Sequence, residues 1–217
     1  QGSLGFWKNR LPGAEIRESR VAFQDPDGLA YEIEESTLPP HGEPWTAVVP
    51  EAYALHGMSG VVIQDGSTGA TEATVREVLG YQGEGILRTA SGRTTVEIRP
   101  STPEMRGHGG SGSVHHIAFR LPDDEAQARY HGDLYDRGFR VSPVMDRTYF
   151  HSIYFREPGG VLFELATDGP GFGFDEPEAE LGTHLYLPPQ YESLRAQIED
   201  ALPKLVLPHE RVKVELE

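Results

Sequence analysis

Cysteine is absent from the 217 residues, which excludes disulfides and thiolate metal ligands. Lysine is scarce: Lys8, Lys204 and Lys213 are the only lysines, so arginine carries most of the positive charge. Positive charge is itself the minority. A formal net charge of −15 argues against nucleic acid or an anionic membrane as the main partner. An acidic, lysine-poor composition suits high salt or high temperature without choosing between them. No apolar run is long enough to span a membrane and no signal peptide is visible, so a cytoplasmic protein is the default expectation.

What is present is period-two alternation. The stretch 113–168 opens with Ser113-Val114-His115-His116-Ile117-Ala118-Phe119-Arg120 and closes on Ile153–Arg156 and Val161–Leu165. In strands, residues i and i+2 share a face. One face then carries Ile117, Phe119, Ile153, Phe155, Val161, Phe163 and Leu165, enough to pack under a helix. The other carries His116, Ala118, Ser152, Tyr154, Arg156, Leu162, Glu164 and Ala166, the wall of a site. Imidazole and carboxylate on neighbouring strands suit a divalent metal, and that donor pair is typical of non-haem iron.

The chain also repeats itself. Val21–Ile33 and Ile153–Leu165 both read apolar-x-Phe, polar, acid, Pro, x-Gly, then an apolar-aromatic-Glu-apolar strand, and Pro-x-Gly is hairpin chemistry. A weaker copy ends in Thr95-Val96-Glu97-Ile98. The glutamates at 32, 97 and 164 lie 65 residues (97 − 32) and 67 residues (164 − 97) apart, so one module recurs. Its order is read from the last copy: a strand, a helix beginning at Pro122–Glu125 with the stripe Ala126, Tyr130, Leu134 and ending at Gly138, a strand over 141–146, and the closing hairpin. The expected fold is therefore α+β with repeated βαβββ modules, the first truncated. Residues 1–36 form the rear part of a module, 37–55 a linker, 56–100 a complete module, 101–112 a Gly-rich loop, 113–168 the metal-site module, and 169–217 a C-terminal loop and tail helix. Aligning the opening strands places Ser59 where His116 sits, so Glu32 and Glu97 are not expected to hold metal. The half-module at the front leaves an apolar edge that invites pairing into a homo-oligomer.

Repeated βαβββ modules with a His in the first strand and a Glu in the last resemble the vicinal oxygen chelate superfamily, the glyoxalase/bleomycin-resistance/dioxygenase fold. The string Val114–Phe119, then Ser142–Arg147, then Tyr149–Gly160, is similar to the branch of ring-cleaving dioxygenases that act on hydroquinones. That resemblance implies Fe(II), with Mn(II) and Zn(II) as alternatives, held by two His and one Glu, and implies a small aromatic substrate and dioxygen as partners. It places the metal ligands His116 and Glu164 in this chain. It puts the other His on the opening strand of a first module that these residues do not contain, so weak metallation and little activity are expected of the chain as it stands.

The resemblance further gives His115 an acid/base role, and gives Arg147 and Tyr154 places beside the substrate oxygen. Strict alternation would aim His115 at the opposite face, so it reaches the site only through a twist or bulge. His151 could face the site or cap a strand end, and His108 could swing toward the metal. Each of these side chains has a structural rival as an ordinary strand pair, salt bridge or core phenol. A glyoxalase-like lyase, or a binding protein of the same fold that needs no metal, is the alternative function.

Overall fold

The structure, a computed structural model, describes residues 2–40, 42–102 and 109–203. His41, His108 and His209 lie outside the described residues. The chain divides into two compact units, Gln1–Gly169 and Pro170–Glu217. In the second, a 3-10 helix over Pro189–Leu194 runs into helix α4, Arg195–Ala201, where the sequence pattern places a tail helix.

Among the described residues the first unit holds three sheets. It opens with helix α1 (Ser3–Arg10) and a meander of strands β1 (Glu15–Arg17), β2 (Arg20–Gln24) and β3 (Ala30–Glu34). Trp7 at the end of α1 is buried against Val21 and Val49, and its indole N–H donates to the Tyr53 carbonyl at 2.9 Å. Next come β4 (Gly60–Asp65), α2 (Thr68–Glu77), β5 (Gln82–Glu84), β6 (Ile86–Arg88) and β7 (Thr95–Pro100). Then follow β8 (Ile117–Leu121), α3 (Asp124–Asp136), β9 (Met145–Asp146), β10 (His151–Arg156) and β11 (Leu162–Thr167). Both sets run β-α-β-β-β, with the same spatial order: β4-β7-β6-β5 and β8-β11-β10-β9. First and last strands lie parallel, and the other neighbours antiparallel.

The glutamates fall on one position of this repeat. Glu32 pairs with Ala22, Glu97 with Ile86 and Glu164 with Tyr154, each on the last strand of its hairpin. The register corrects one expectation. Across the parallel pairs, Glu97 stands beside Val62 and Glu164 beside Ala118. Gly60, not Ser59, is thus the counterpart of His116. No side chain fits at Gly60, because a Cβ there would run into the Thr95 carbonyl and hydroxyl.

The larger core cluster runs across both βαβββ sets: Ile63, Val75, Leu87 and Val96 from one, and Leu134, Ile153, Phe155, Phe163 and Leu165 from the other. The apolar face read from the sequence is the face that packs. Helix α3 starts at Asp123, whose carboxylate accepts the Ala126 N–H at 2.8 Å, and Gly138 follows its end at φ 84. Gln127, almost fully buried, donates to the carbonyls of His151 and Leu165, both at 2.9 Å, and so ties the helix to two strands. The strand expected over 141–146 is cut to Met145–Asp146 plus a single bridge from Val141 to Phe155. Pro143 has no N–H to give the ladder. Strand β5, Gln-Gly-Glu, carries no apolar alternation and is invisible in the sequence.

At the counterpart positions in the first two sheets, arginines take the carboxylates. Arg20 reaches Glu32 at 2.7 Å and Glu97 at 3.2 Å; Arg99 reaches Glu97 at 2.6 Å and Glu32 at 3.3 Å. This closed ring of two cations and two anions joins β2–β3 to β7. The hydrogen bond from Arg99 holds the Glu97 carboxyl below the ordinary value of 4.5, with Arg20 adding to it. A carboxyl lowered by folding stabilises fully above its unfolded pKa, and that contribution is lost as the pH falls through the folded one. Thermal melts of wild type and E97Q should therefore differ at neutral pH and converge as the pH drops below about 4.

Candidate metal centre

Glu164 sits at the middle of the polar face of the β8-β11-β10-β9 sheet. Its strand neighbours Phe163 and Leu165 point into the core, so alternation turns its carboxylate outward, yet the residue is only 3 % exposed. A carboxylate that buried needs donors, and the adjacent strand supplies them. Ser152 Oγ and Tyr154 Oη both donate to Oε1, the tyrosine at 2.7 Å. Oε2 faces His116 Nε2 at 2.7 Å. Two metal ligands at right angles with bonds of 2.0–2.2 Å have donor atoms about 3 Å apart. The 2.7 Å contact is a hydrogen bond in this structure, and a separation of a few tenths of an ångström would let the pair share one ion.

Strand β8 begins only at Ile117. His115 and His116 precede it, so alternation does not bind them, and the expected conflict for His115 disappears. The two rings meet at Nδ1···Nδ1, 2.8 Å. In this structure a proton lies between His116 Nε2 and the carboxylate; were an ion to take that place, His116 would carry its proton on Nδ1 and give it to His115. This is the outer contact that fixes tautomer and ring orientation in metal-bound histidines.

Arg147 lies on the turn between β9 and β10. Its guanidinium carbon is 5.7 Å from the Tyr154 ring centroid, and a terminal nitrogen donates to Tyr154 Oη at 3.2 Å. That hydrogen bond, with the nearby charges, raises an already high pKa, so Arg147 is a permanent cation beside the carboxylate. The turn is tight: Thr148 has φ 70, unusual for a β-branched residue, and its N–H is held by Asp146 Oδ1 at 2.7 Å.

His115, His116, Arg147, Tyr154 and Glu164 are thus brought to one connected network. Among the described residues no set of three His, Cys, Asp or Glu side chains is placed to share an ion. His151 stands apart: its ring pairs with Asp124 at 2.6 Å, at the start of α3. His131 contacts the Ser142 carbonyl, and His184 contacts Thr183.

Residues 39–165 match the Glyoxalase/Bleomycin resistance protein/Dioxygenase superfamily. The chain belongs to it. Among members of this superfamily, it is 39 % identical to "Putative ring-cleaving dioxygenase MhqO" of Bacillus subtilis (strain 168), over 93 % of this chain and 69 % of that protein. It is 30 % identical to chlorohydroquinone/hydroquinone 1,2-dioxygenase of Sphingobium indicum, over 91 % of this chain and 68 % of the other. A crystal structure described as "putative dioxygenase from Bacillus subtilis" shares 35 % identity and a TM-score of 0.83, covering 95 % of this chain and 71 % of its own.

Ser152 is the residue of this candidate site whose role the sequence does not reveal. It lies on the site face, but serine in a strand gives no signal of function. Fully buried, it shares Glu164 Oε1 with Tyr154. Ser152→Ala should leave the fold intact and weaken metal binding by about 10- to 100-fold, the usual effect of losing an outer-shell partner. Equilibrium dialysis against Fe(II), with a melting curve as control, checks this.

Proposed function

We propose that this chain carries the iron-binding module of an Fe(II)-dependent dioxygenase that opens hydroquinone-type rings. His116 and Glu164 are two of the metal's protein ligands, and a second histidine comes from outside these 217 residues. The observation that carries the reading is the 2.7 Å approach of His116 Nε2 and Glu164 Oε2 within a hydrogen-bonded frame. A neutral imidazole and a carboxylate with their outer contacts satisfied fit Fe(II) by donor type. The relatives' names as ring-cleaving and hydroquinone dioxygenases support the same reaction class.

Bound there, Fe(II) supplies one centre at which a phenolate and dioxygen meet. The protein's part follows from its hydrogen bonds. Tyr154 has one proton, and gives it to Glu164 Oε1. To hydrogen-bond a substrate oxygen it must swing from the carboxylate. Arg147 has five N–H donors and uses one on Tyr154, so it is the group ready to neutralise a phenolate. His115, accepting from His116 at Nδ1, presents its Nε2–H outward. It therefore donates to a substrate oxygen first, and takes up a proton only after releasing His116.

Anaerobic Fe(II) loading followed by oxygen uptake with hydroquinone tests the proposal. Iron binding that is lost in His116→Ala supports it, and iron binding indifferent to that change removes it. Hydroquinone binding without any oxygen uptake, even with the second histidine supplied, would favour a binding protein of the same fold. Robust turnover by the 217-residue chain alone would show that a second histidine is not required.

A further inference from the structure

The polar face of the β8-β11-β10-β9 sheet does not end at Glu164. Two residues further along each strand, Arg120 and Ala166 stand side by side in the parallel register, as Ala118 and Glu164 do. This second row opens a groove of about 210 Å³ lined by Ala118, Phe150, Glu164, Ala166, Arg120 and Asp168. A cavity of roughly 150 Å³ holds benzene, so one substituted ring fits. The two alanines keep the floor low, and Phe150 offers an aromatic wall.

At the far end Arg120 Nε donates to Asp168 Oδ1 at 2.5 Å. The arginine side chain is 78 % exposed, so this ion pair adds little stability. It presents a donor and an acceptor together, with no net charge. Two residues of strand separate its row from that of Glu164, about 6.6 Å along the backbone, somewhat more than the span between the two oxygens of a para-dihydroxybenzene, which side chains reaching inward from the two ends bridge.

We propose that Arg120 and Asp168 bind the second, para hydroxyl of the substrate while its first oxygen lies at the Glu164 end. This rests on the ring-cleaving reading above, and names its substrate class as a ring with two hydroxyls across from each other. A hydroxyl both donates and accepts, and so satisfies both partners: Asp168 takes its proton and Arg120 donates to its oxygen. A carboxylate substituent would face Asp168 unfavourably, and a bare ring edge would leave both groups unmatched.

The test is anaerobic binding of hydroquinone and of phenol to the Fe(II)-loaded chain, followed by intrinsic fluorescence, in wild type, Arg120→Ala and Asp168→Asn. Wild type should prefer hydroquinone by about 10- to 100-fold, the worth of a hydrogen bond to a charged group. Both variants should lose that preference while binding phenol as before. No preference in wild type, a preference that survives both substitutions, or equal weakening toward both ligands overturns the proposal. Asp168→Asn keeps side-chain volume and guards against a folding artefact. Oxygen uptake, recorded separately with the second histidine supplied, reports on the ring-cleaving reading: preference without uptake then sinks that reading alone, and uptake without preference sinks this one alone.

Discussion

Under the proposed Fe(II) reading, Glu164→Ala should lower Fe(II) affinity by more than the roughly 100-fold that loss of an outer-shell partner costs. The carboxylate is the acceptor on which the network converges: Ser152, Tyr154 and His116 all address it. Alanine removes a metal donor and also leaves the buried Ser152 hydroxyl without its acceptor, a further cost of about 1–3 kcal/mol in stability. The control is internal. Glu97→Ala changes the same position of the repeat, but Glu97 is held by Arg20 and Arg99, and its partner strand has glycine where His116 would be. Iron affinity should be unchanged in that variant. Equal loss of iron in both, measured by equilibrium dialysis, would mean that the metal does not sit at Glu164.

Phe163→Ala should lower unfolding stability by about 3–5 kcal/mol, the cost of emptying a large buried aromatic site. Phe163 is completely buried, with its ring centroid 5.1 Å from that of Phe119 and 5.7 Å from that of Phe155, both edge-on. Its neighbour in sequence is Glu164, so strand β11 carries the core on one face and the candidate centre on the other. Because the core cluster runs across both βαβββ sets, the loss should shift a single urea transition for both sheets. Val62→Ala, at a position 41 % exposed, should stay within about 0.5 kcal/mol. A Phe163→Ala midpoint unchanged from wild type would contradict the packing described here.

Much of this architecture is written in local pattern. Pro-x-Gly between alternating strands makes a hairpin wherever it occurs, which is why Val21–Ile33 and Ile153–Leu165 were recognisable as copies. Alternation alone sorted Phe163 and Leu165 from Glu164, because a strand has only two faces. The Asp123 cap and Gly138 bounded α3 for equally local reasons. These features depend on residues close in sequence, and so they can be read without knowing the fold.

The register, the pairing of polar groups and the surroundings of the site belong to the tertiary structure. A shift of one residue between parallel strands cannot be seen in either strand, so only the pairing of β4 with β7 shows that Gly60, not Ser59, matches His116. His115 joins the network because β8 starts late, which the alternating string concealed. Ser152, Gln127 and the Arg120–Asp168 pair work through partners on other elements, and no spacing rule marks them. Hydrophobic period and turn chemistry act over a few residues, so the modules and the core face are legible in the sequence alone, while His116 and Glu164 stand out as candidate ligands through the family resemblance. Which glutamate meets a histidine and which meet arginines depends on distant strands coming side by side. The same carboxylate at the same repeat position is a candidate ligand or a structural anion according to the side chain the neighbouring strand presents to it.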